Sequence, residues 1–355
     1  MAHPAQGADD YAMVVDKAIA FLEKSQNEDG SWGNANNKRG VTGIVLTGLL
    51  KSGRIKKDSP TIQKALKYVE SLVNEKGHIA GPEAAVQLQN YVTSVNIVAL
   101  QTADPEKYKP VIDKAVAFLK KLQWDEEEGK KADDDFFGGA GYDSKSRPDL
   151  SNTQFFLDAL HAAGVKSDDP AMKKALVFVS RCQNLKSEFN DQPWAGKIND
   201  GSFIYSAAAG GSTKTSDDPK NTNLTGYGSM TYAGIKSMIY CGVSKEDPRY
   251  KKAWEWIRAN YTVDANPGMP KELAERGLYY YYHTMAKTLH VIGEKEIVDA
   301  KGNKHDWRAD ILAALKKRQK EDGSWTNTND RWMEGDPNLV VGYALMALSY
   351  CQPVK

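Results

Sequence analysis

One short stretch of this chain keeps returning. Lys17-Ala18-Ile19-Ala20-Phe21-Leu22 is echoed by Lys114-Ala115-Val116-Ala117-Phe118-Leu119, by Lys174-Ala175-Leu176-Val177-Phe178-Val179 and by Lys252-Ala253-Trp254-Glu255-Trp256-Ile257. Weaker copies lie at Lys64-Ala65-Leu66-Lys67-Tyr68-Val69 and between Asp310 and Leu315. The copies recur at intervals of roughly 50 to roughly 80 residues, as stacked supersecondary units do and separate domains do not. A repeat of this kind buries its apolar face only against its neighbours.

Each unit reads alike. A first helix places apolar residues at three- and four-residue spacing with Lys and Glu between them, so one face is buried and one is solvated. A turn rich in Gly, Asp and Asn follows. The second helix is apolar nearly all round: 43–50, 92–100, 153–163, 230–240, 283–292 and 339–350. Such a helix must be covered on most of its faces. Six half-exposed helices alternating with six covered ones predict an all-α fold, an α/α toroid of about six helix pairs in two concentric rings, with the covered set inside. An open solenoid is the rival geometry. The polar and aromatic residues that begin the covered helices, and the want of a polar capping repeat, favour closure. Residues 11–355 are expected to form one domain after a flexible segment, 1–10. Two long polar stretches, 129–145 and 199–223, are expected as surface loops. The run Asp133-Asp134-Asp135 in the first lacks a His or Glu at ligand spacing and reads as solvated rather than metal-binding.

Composition removes several classes of function. The formal charge of +1 favours neither nucleic acid nor an anionic membrane as partner, and no apolar run reaches the ~20 residues of a membrane span. Cys182, Cys241 and Cys351 are too few and too scattered for a disulfide framework or a zinc ribbon. No cofactor signature is present. The first ten residues lack the apolar core of a signal peptide; compartment and oligomeric state are not fixed by the sequence.

The turns carry a more specific pattern. Gln26, Gly30 and Trp32 follow the first helix, with Asn27-Glu28-Asp29 and Ser31 between them, and Gln319-Lys320-Glu321-Asp322-Gly323-Ser324-Trp325 repeats it near the end. Gln can bond exposed helix-end groups, Gly permits the turn and Trp covers the junction. In phase with a two-helix repeat, this resembles the QW motif of squalene and oxidosqualene cyclases. The resemblance runs from about Tyr11 to Cys351 and implies the α/α toroid of the terpenoid-cyclase and protein-prenyltransferase superfamily, with a central cavity.

The chemistries of that superfamily map onto few residues here. Squalene–hopene-type cyclases open an inner helix with Asp-x-Asp-Asp-Thr, whose middle Asp is the proton donor. The matching stretch is Asp149-Leu150-Ser151-Asn152-Thr153, with Ser151 at the donor position, and a hydroxyl is too weak an acid to protonate an alkene. Asp149 is also well placed as a helix N-cap, and Asp336-Pro337-Asn338 opens the last inner helix in the same way. Protein prenyltransferases hold zinc with Asp, Cys and His. Their Tyr-His-Thr segment resembles Tyr282-His283-Thr284, but the Asp-Gly-Cys segment is replaced by Tyr227-Gly228-Ser229, so no metal is expected. His161 and His290, within apolar helices, read as structural.

From the resemblance and the residues together, Asp149, His283 and Asp336 are the candidate catalytic groups. Asn152, Tyr227, Ser229, Tyr232, Tyr282, Trp332 and Asn338 are the candidate substrate contacts. Of the run Tyr279-Tyr280-Tyr281-Tyr282, some must face the cavity, since it spans a full helical turn; Phe136 and Phe137 are expected near the same mouth. Arg331 is expected to pair with Asp330 or Glu334. The implied function is a cyclase- or prenyltransferase-like protein that binds an isoprenoid or other long apolar small molecule, with cyclisation or transfer as its chemistry. A non-catalytic binding or scaffold toroid and a carbohydrate-active toroid stand beside it.

Overall fold

The computed structural model describes residues 4–82, 88–218 and 220–352. The half-exposed helices are α1 (Pro4–Ser25), α3 (Pro60–Ser71), α5 (Pro105–Lys120), α7 (Pro170–Arg181), α9 (Pro248–Ala259) and α11 (Trp307–Arg318). The covered ones are α2 (Lys38–Lys51), α4 (Gln89–Ala103), α6 (Leu150–Ala162), α8 (Gly228–Tyr240), α10 (Leu278–Ile292) and α12 (Pro337–Leu348). The first helix begins at Pro4, so residues 4–10 are helical rather than a separate flexible segment. The sheet content among the described residues is one two-residue ribbon, Ile297–Val298 against Lys304–His305.

Helix starts are written into the sequence. Ser59, Asp104, Asp169 and Asp247 each precede a proline, and each side chain accepts an amide of the first turn, from Ile62, Lys107, Ala171 and Arg249 respectively. Proline fixes φ at a position whose amide has no helical partner, and the cap satisfies one that does need a partner. Asp336 caps α12 by the same means, and Asp149 caps α6 without a following proline.

The ring closes. Around the inside, α2 packs on α4, α4 on α6, α6 on α8, α8 on α10, α10 on α12, and α12 returns to α2. At that last seam Gly48 and Gly342 let the helices approach, since a Cβ on Gly48 would lie 3.0 Å from the Gly342 carbonyl. Outside, α3, α5, α7, α9 and α11 each cover the inner helix before them in sequence, and α1 covers α12.

The junctions explain the repeat. The side-chain amide of Gln26 donates to Gly30 O (3.0 Å) and to Thr61 O (2.9 Å) in the next outer helix. Gln123 does the same with Gly138 and Ala171, and Gln183 with Gly201 and Arg249. Gln319 bonds Gly323 O and Val14 O, tying the last turn to the first helix. The indole N–H of Trp32 caps Leu22 O and that of Trp325 caps Leu315 O, both at 2.8 Å. At Gly323 (φ +88) a Cβ would lie 2.2 Å from the carbonyl of Lys17, and the glycines at 30, 138 and 201 sit just as closely over Lys64, Lys174 and Lys252. Each turn therefore lies on the Lys-Ala step of the following unit, and the adjoining Ala18, Ala65, Ala175 and Ala253 are fully buried. A larger side chain there would hold the turn off.

Candidate functional site

The starts of the inner helices surround a cavity of about 650 Å³, within the range typical of small-molecule sites. Its walls are aromatic: Tyr91 from α4, Phe155 from α6, Tyr280 from α10 and Tyr343 from α12, joined by Tyr142, Tyr205, Tyr227 and Trp332 from the connecting loops. Edge-to-face contacts lock this lining, with Tyr91 on Phe155 at 5.1 Å and Tyr280 on Tyr343 at 5.9 Å between ring centres. The Tyr280 hydroxyl bonds Ser151 Oγ (2.9 Å) and accepts from Gln154 Nε2. That fixes it across the ring from α10 to α6.

Five of the ten sequence-predicted site residues come near this space in different ways. Asn152, Tyr227, Ser229 and Trp332 line it. Asp149 sits directly behind Asn152, its Oδ1 accepting from the Asn152 amide (2.8 Å) and its Oδ2 from the Asn152 side chain (2.7 Å). Burial pushes its carboxyl up to about 6, against the lowering by those two bonds. Asp149 caps α6, and its carboxyl also interacts with the side chain of Tyr205 in the lining.

The other five lie outside the lining. Asp336 caps α12 and accepts from Asn37 Nδ2 (2.8 Å), and Asn338 accepts from Ser25 Oγ (2.7 Å). Tyr282 turns away from the cavity to donate to Val263 O (2.5 Å). Tyr232 packs edge-on against Tyr281, itself bonded to Thr262 O. Of the tyrosine run, Tyr280 is the one in the lining. His283 lies one turn deeper, stacked on Tyr343 at 5.7 Å, its Nδ1 buried without a partner. Burial first, and then Lys287 and Lys236, hold it neutral. Phe136 packs on Trp124 at 5.3 Å and stands outside the lining, as does Phe137. His161 stacks on Tyr240. Among the described residues no group of three His, Cys, Asp or Glu side chains is placed to hold a metal.

One acidic group in the wall was weighed from the sequence only as a partner of Arg331 and as a carboxyl for the carbohydrate reading. Glu334 is fully buried and lines the cavity. It does not pair with Arg331, which reaches Asp217 instead (3.4 Å). Its Oε1 accepts from the Tyr280 amide (2.8 Å) in the first turn of α10, and its Oε2 from Asn327 Nδ2 (2.6 Å). Burial raises this carboxyl to about 7, in spite of those donors. The sequence signal was faint: a loop glutamate three residues before a proline gives no reason to point inward. What turns it is the left-handed backbone of Trp332 (φ 61) and Met333 (φ 67), and Gly277 makes room for the Trp332 ring.

Beneath the aromatic floor the inner ring holds a buried charge cluster. Asp158 of α6 accepts from Lys236 of α8 (2.7 and 2.8 Å) and pairs with Lys287 of α10 (2.9 Å). All three are more than nine-tenths buried. Lys236, the most enclosed, is pushed down to about 7 by burial, and the two lysines hold Asp158 well below the usual carboxylate range against its own burial.

A closed double ring with an aromatic cavity at the starts of its inner helices defines the class: an α/α toroid with a central cavity. The family model of the squalene-hopene cyclase C-terminal domain matches residues 35–206, and over that stretch the chain is similar to this family. Among solved structures, a novel α-amylase from Clostridium perfringens is 12% identical over 96% of this chain and 98% of its own, with a TM-score of 0.55. That likeness is one of fold. The type II terpene cyclase MstE from Scytonema is 13% identical over 98% of this chain and 99% of its own, with a TM-score of 0.38. A variant of it in complex with geranylgeranyl dihydroxybenzoate (substrate) gives 13%, 98%, 99% and 0.37. No curated protein matches the sequence.

Proposed function

We propose that this terpene-cyclase-like toroid binds a long apolar ligand of isoprenoid type in the aromatic cavity. The observation that carries the reading is the lining itself: eight aromatic rings around about 650 Å³, held in fixed mutual geometry, offer an apolar chain a desolvated surface. Binding is better supported than proton-initiated cyclisation. Ser151 stands where the resemblance puts the acid, Asp149 has both oxygens engaged by Asn152, and Glu334 is too weak an acid to protonate an alkene. Where the chain does carry out chemistry, Glu334 is the carboxyl in contact with the cavity. The carbohydrate reading would require a long polar groove, and a lining dominated by aromatic rings gives it less support.

The test is native mass spectrometry of the full chain with geranylgeraniol and squalene, followed by extraction and product analysis. One chain bound per protein and recovered unchanged is the expected result. A cyclised product would replace binding by catalysis, and failure to retain either compound would remove the isoprenoid reading.

A further inference from the structure

Below the cavity the middle of the ring is polar down to the opposite face. α6 carries Ser151, Gln154, Asp158 and His161, and α10 carries Tyr280, His283, Lys287 and His290. Three- and four-residue spacing puts each set on one side of its helix. The upper members meet where Tyr280 bonds Ser151 and Gln154. The middle ones meet where Asp158 pairs with Lys287, and Lys236 of α8 joins them. The lowest, His161 and His290, are exposed and pack on Tyr240 (3.9 Å) and Tyr350 (4.9 Å). Lys51 bonds the Tyr350 hydroxyl at that end (3.2 Å). The cavity stops above the charged middle of this column. Its deepest lining residue by helix position is Tyr343, in the second turn of α12, although α12 runs to 12 residues and α10 to 15. At 1.5 Å per residue that is a reach of roughly 10 Å into the ring. An extended chain of about four isoprene units spans about 20 Å, at ~1.5 Å per bond. Driven deeper, an apolar chain would part Asp158 from its lysines and offer no hydrogen bond in exchange. The layer is also full, with the Lys236 side chain 1% exposed.

Resting on the binding reading above, we infer that the Asp158–Lys236–Lys287 layer is the floor of the site and fixes how the ligand lies: the isoprenoid is held coiled across the ring above that layer and does not thread the axis. The floor also bounds the ligand's size. A dry apolar cavity of ~150 Å³ takes a six-carbon ring. On that scale the 650 Å³ here holds roughly 25 carbons, or about five isoprene units. Carbons beyond that limit stay outside the mouth. Phe155 and Tyr343 mark the step between the two zones. Both line the cavity; Tyr343 stacks on neutral His283, and Asp158 follows Phe155 by one helical turn.

The experiment presents the full protein with alcohols that share one head and differ in length: farnesol, geranylgeraniol, hexaprenol and octaprenol. Affinities are read from tryptophan fluorescence, Trp332 being in the lining, and stoichiometry from native mass spectrometry. Each isoprene unit that becomes buried is worth at least about tenfold. Affinity is therefore expected to climb from farnesol to geranylgeraniol and to level off, with hexaprenol and octaprenol within about threefold of each other. Geranylgeraniol carrying a diazirine at its far end should label the lining, at Phe155, Trp332 or Tyr343, and leave Lys287, Tyr240 and His290 unlabelled. Removing the floor in the triple variant Asp158→Ala, Lys236→Ala, Lys287→Ala should let hexaprenol bind at least about tenfold more tightly. Should that variant not fold, the label on the unaltered chain decides. Octaprenol bound about tenfold more tightly than hexaprenol by the unaltered protein, label on the axial residues, or a folded triple variant that gains nothing overturns the inference and leaves the binding reading standing. Retention of none of the alcohols overturns both.

Discussion

Asp158 is the position where the interior is most exposed to a single change. Its carboxylate faces two lysines in a space from which water is excluded, with side chains 3%, 1% and 9% exposed for Asp158, Lys236 and Lys287. Asp158→Asn keeps the volume but leaves two buried ammonium groups without a counter-charge. Removing one partner of a buried pair costs about 3–5 kcal/mol. With an unfolding entropy of about 2 cal/mol/K per residue, that loss lowers Tm by roughly 4–7 °C in a chain of this length. The deficit has a sign in pH. Without Asp158 both lysines are held below their ordinary value in the folded state, so the unfolded chain binds more protons between that lowered range and about 10.5. Stability then rises with pH across that window. Lys236→Met is the informative partner, because it removes the surplus cation and leaves a one-to-one pair of Lys287 with Asp158. It should be close to neutral at pH 7, or stabilising. Calorimetry of the three proteins at pH 7 and pH 9.5 settles the matter. An Asp158→Asn protein as stable as the parent, or a Lys236→Met protein as damaged as Asp158→Asn, would refute the view that an uncompensated charge governs this layer.

Glu334 carries a folded pKa of about 7, above its ordinary value, so the native state binds more protons than the unfolded chain between about pH 4.5 and 7 and stability falls as pH rises through that range; Glu334→Gln should flatten the fall, worth about 3 kcal/mol, in denaturation curves taken from pH 4.5 to 8. Gly138→Ala would set a Cβ 1.8 Å from the Lys174 carbonyl at φ +83, whereas Gly129→Ala at φ +73 meets nothing within 4 Å, so urea denaturation should show the first costing more than about 2 kcal/mol and the second about 1. Gln319→Ala removes two bonds that close the ring, to Val14 O and Gly323 O, and should cost about 1–3 kcal/mol, with faster amide exchange in α1 as the local readout.

Local physics made the architecture readable in advance. Helical period, Pro-linked caps and the Gln-Gly-Trp turns all act within a few residues or between neighbouring units, and each recurs often enough to be read as a pattern. The capping role of Asp149 was legible for the same reason, because a cap bonds amides two and three residues onward. The cavity wall was legible only in part. Asn152, Tyr227, Ser229 and Trp332 were found because they stand at helix starts or in the loop leading to one, and helix starts share a rim in a closed ring. Which member of Tyr279-Tyr280-Tyr281-Tyr282 faces inward depends on the rotation of α10 about its axis, and that is set by Tyr281 and Tyr282 reaching the carbonyls of Thr262 and Val263. His283 was sought at the rim and lies a turn below it.

The sequence by itself determined that twelve helices alternate between half-exposed and covered, where they begin, and that they join in pairs, because those properties depend on short-range periodicity and on backbone groups close in the chain. Only the tertiary structure decided that Glu334 faces the cavity and that Asp158 meets two lysines from other helices. Those arrangements depend on burial and on charges brought together from units 50 or more residues apart, and electrostatics in a water-poor interior follows distance in space and not distance along the chain.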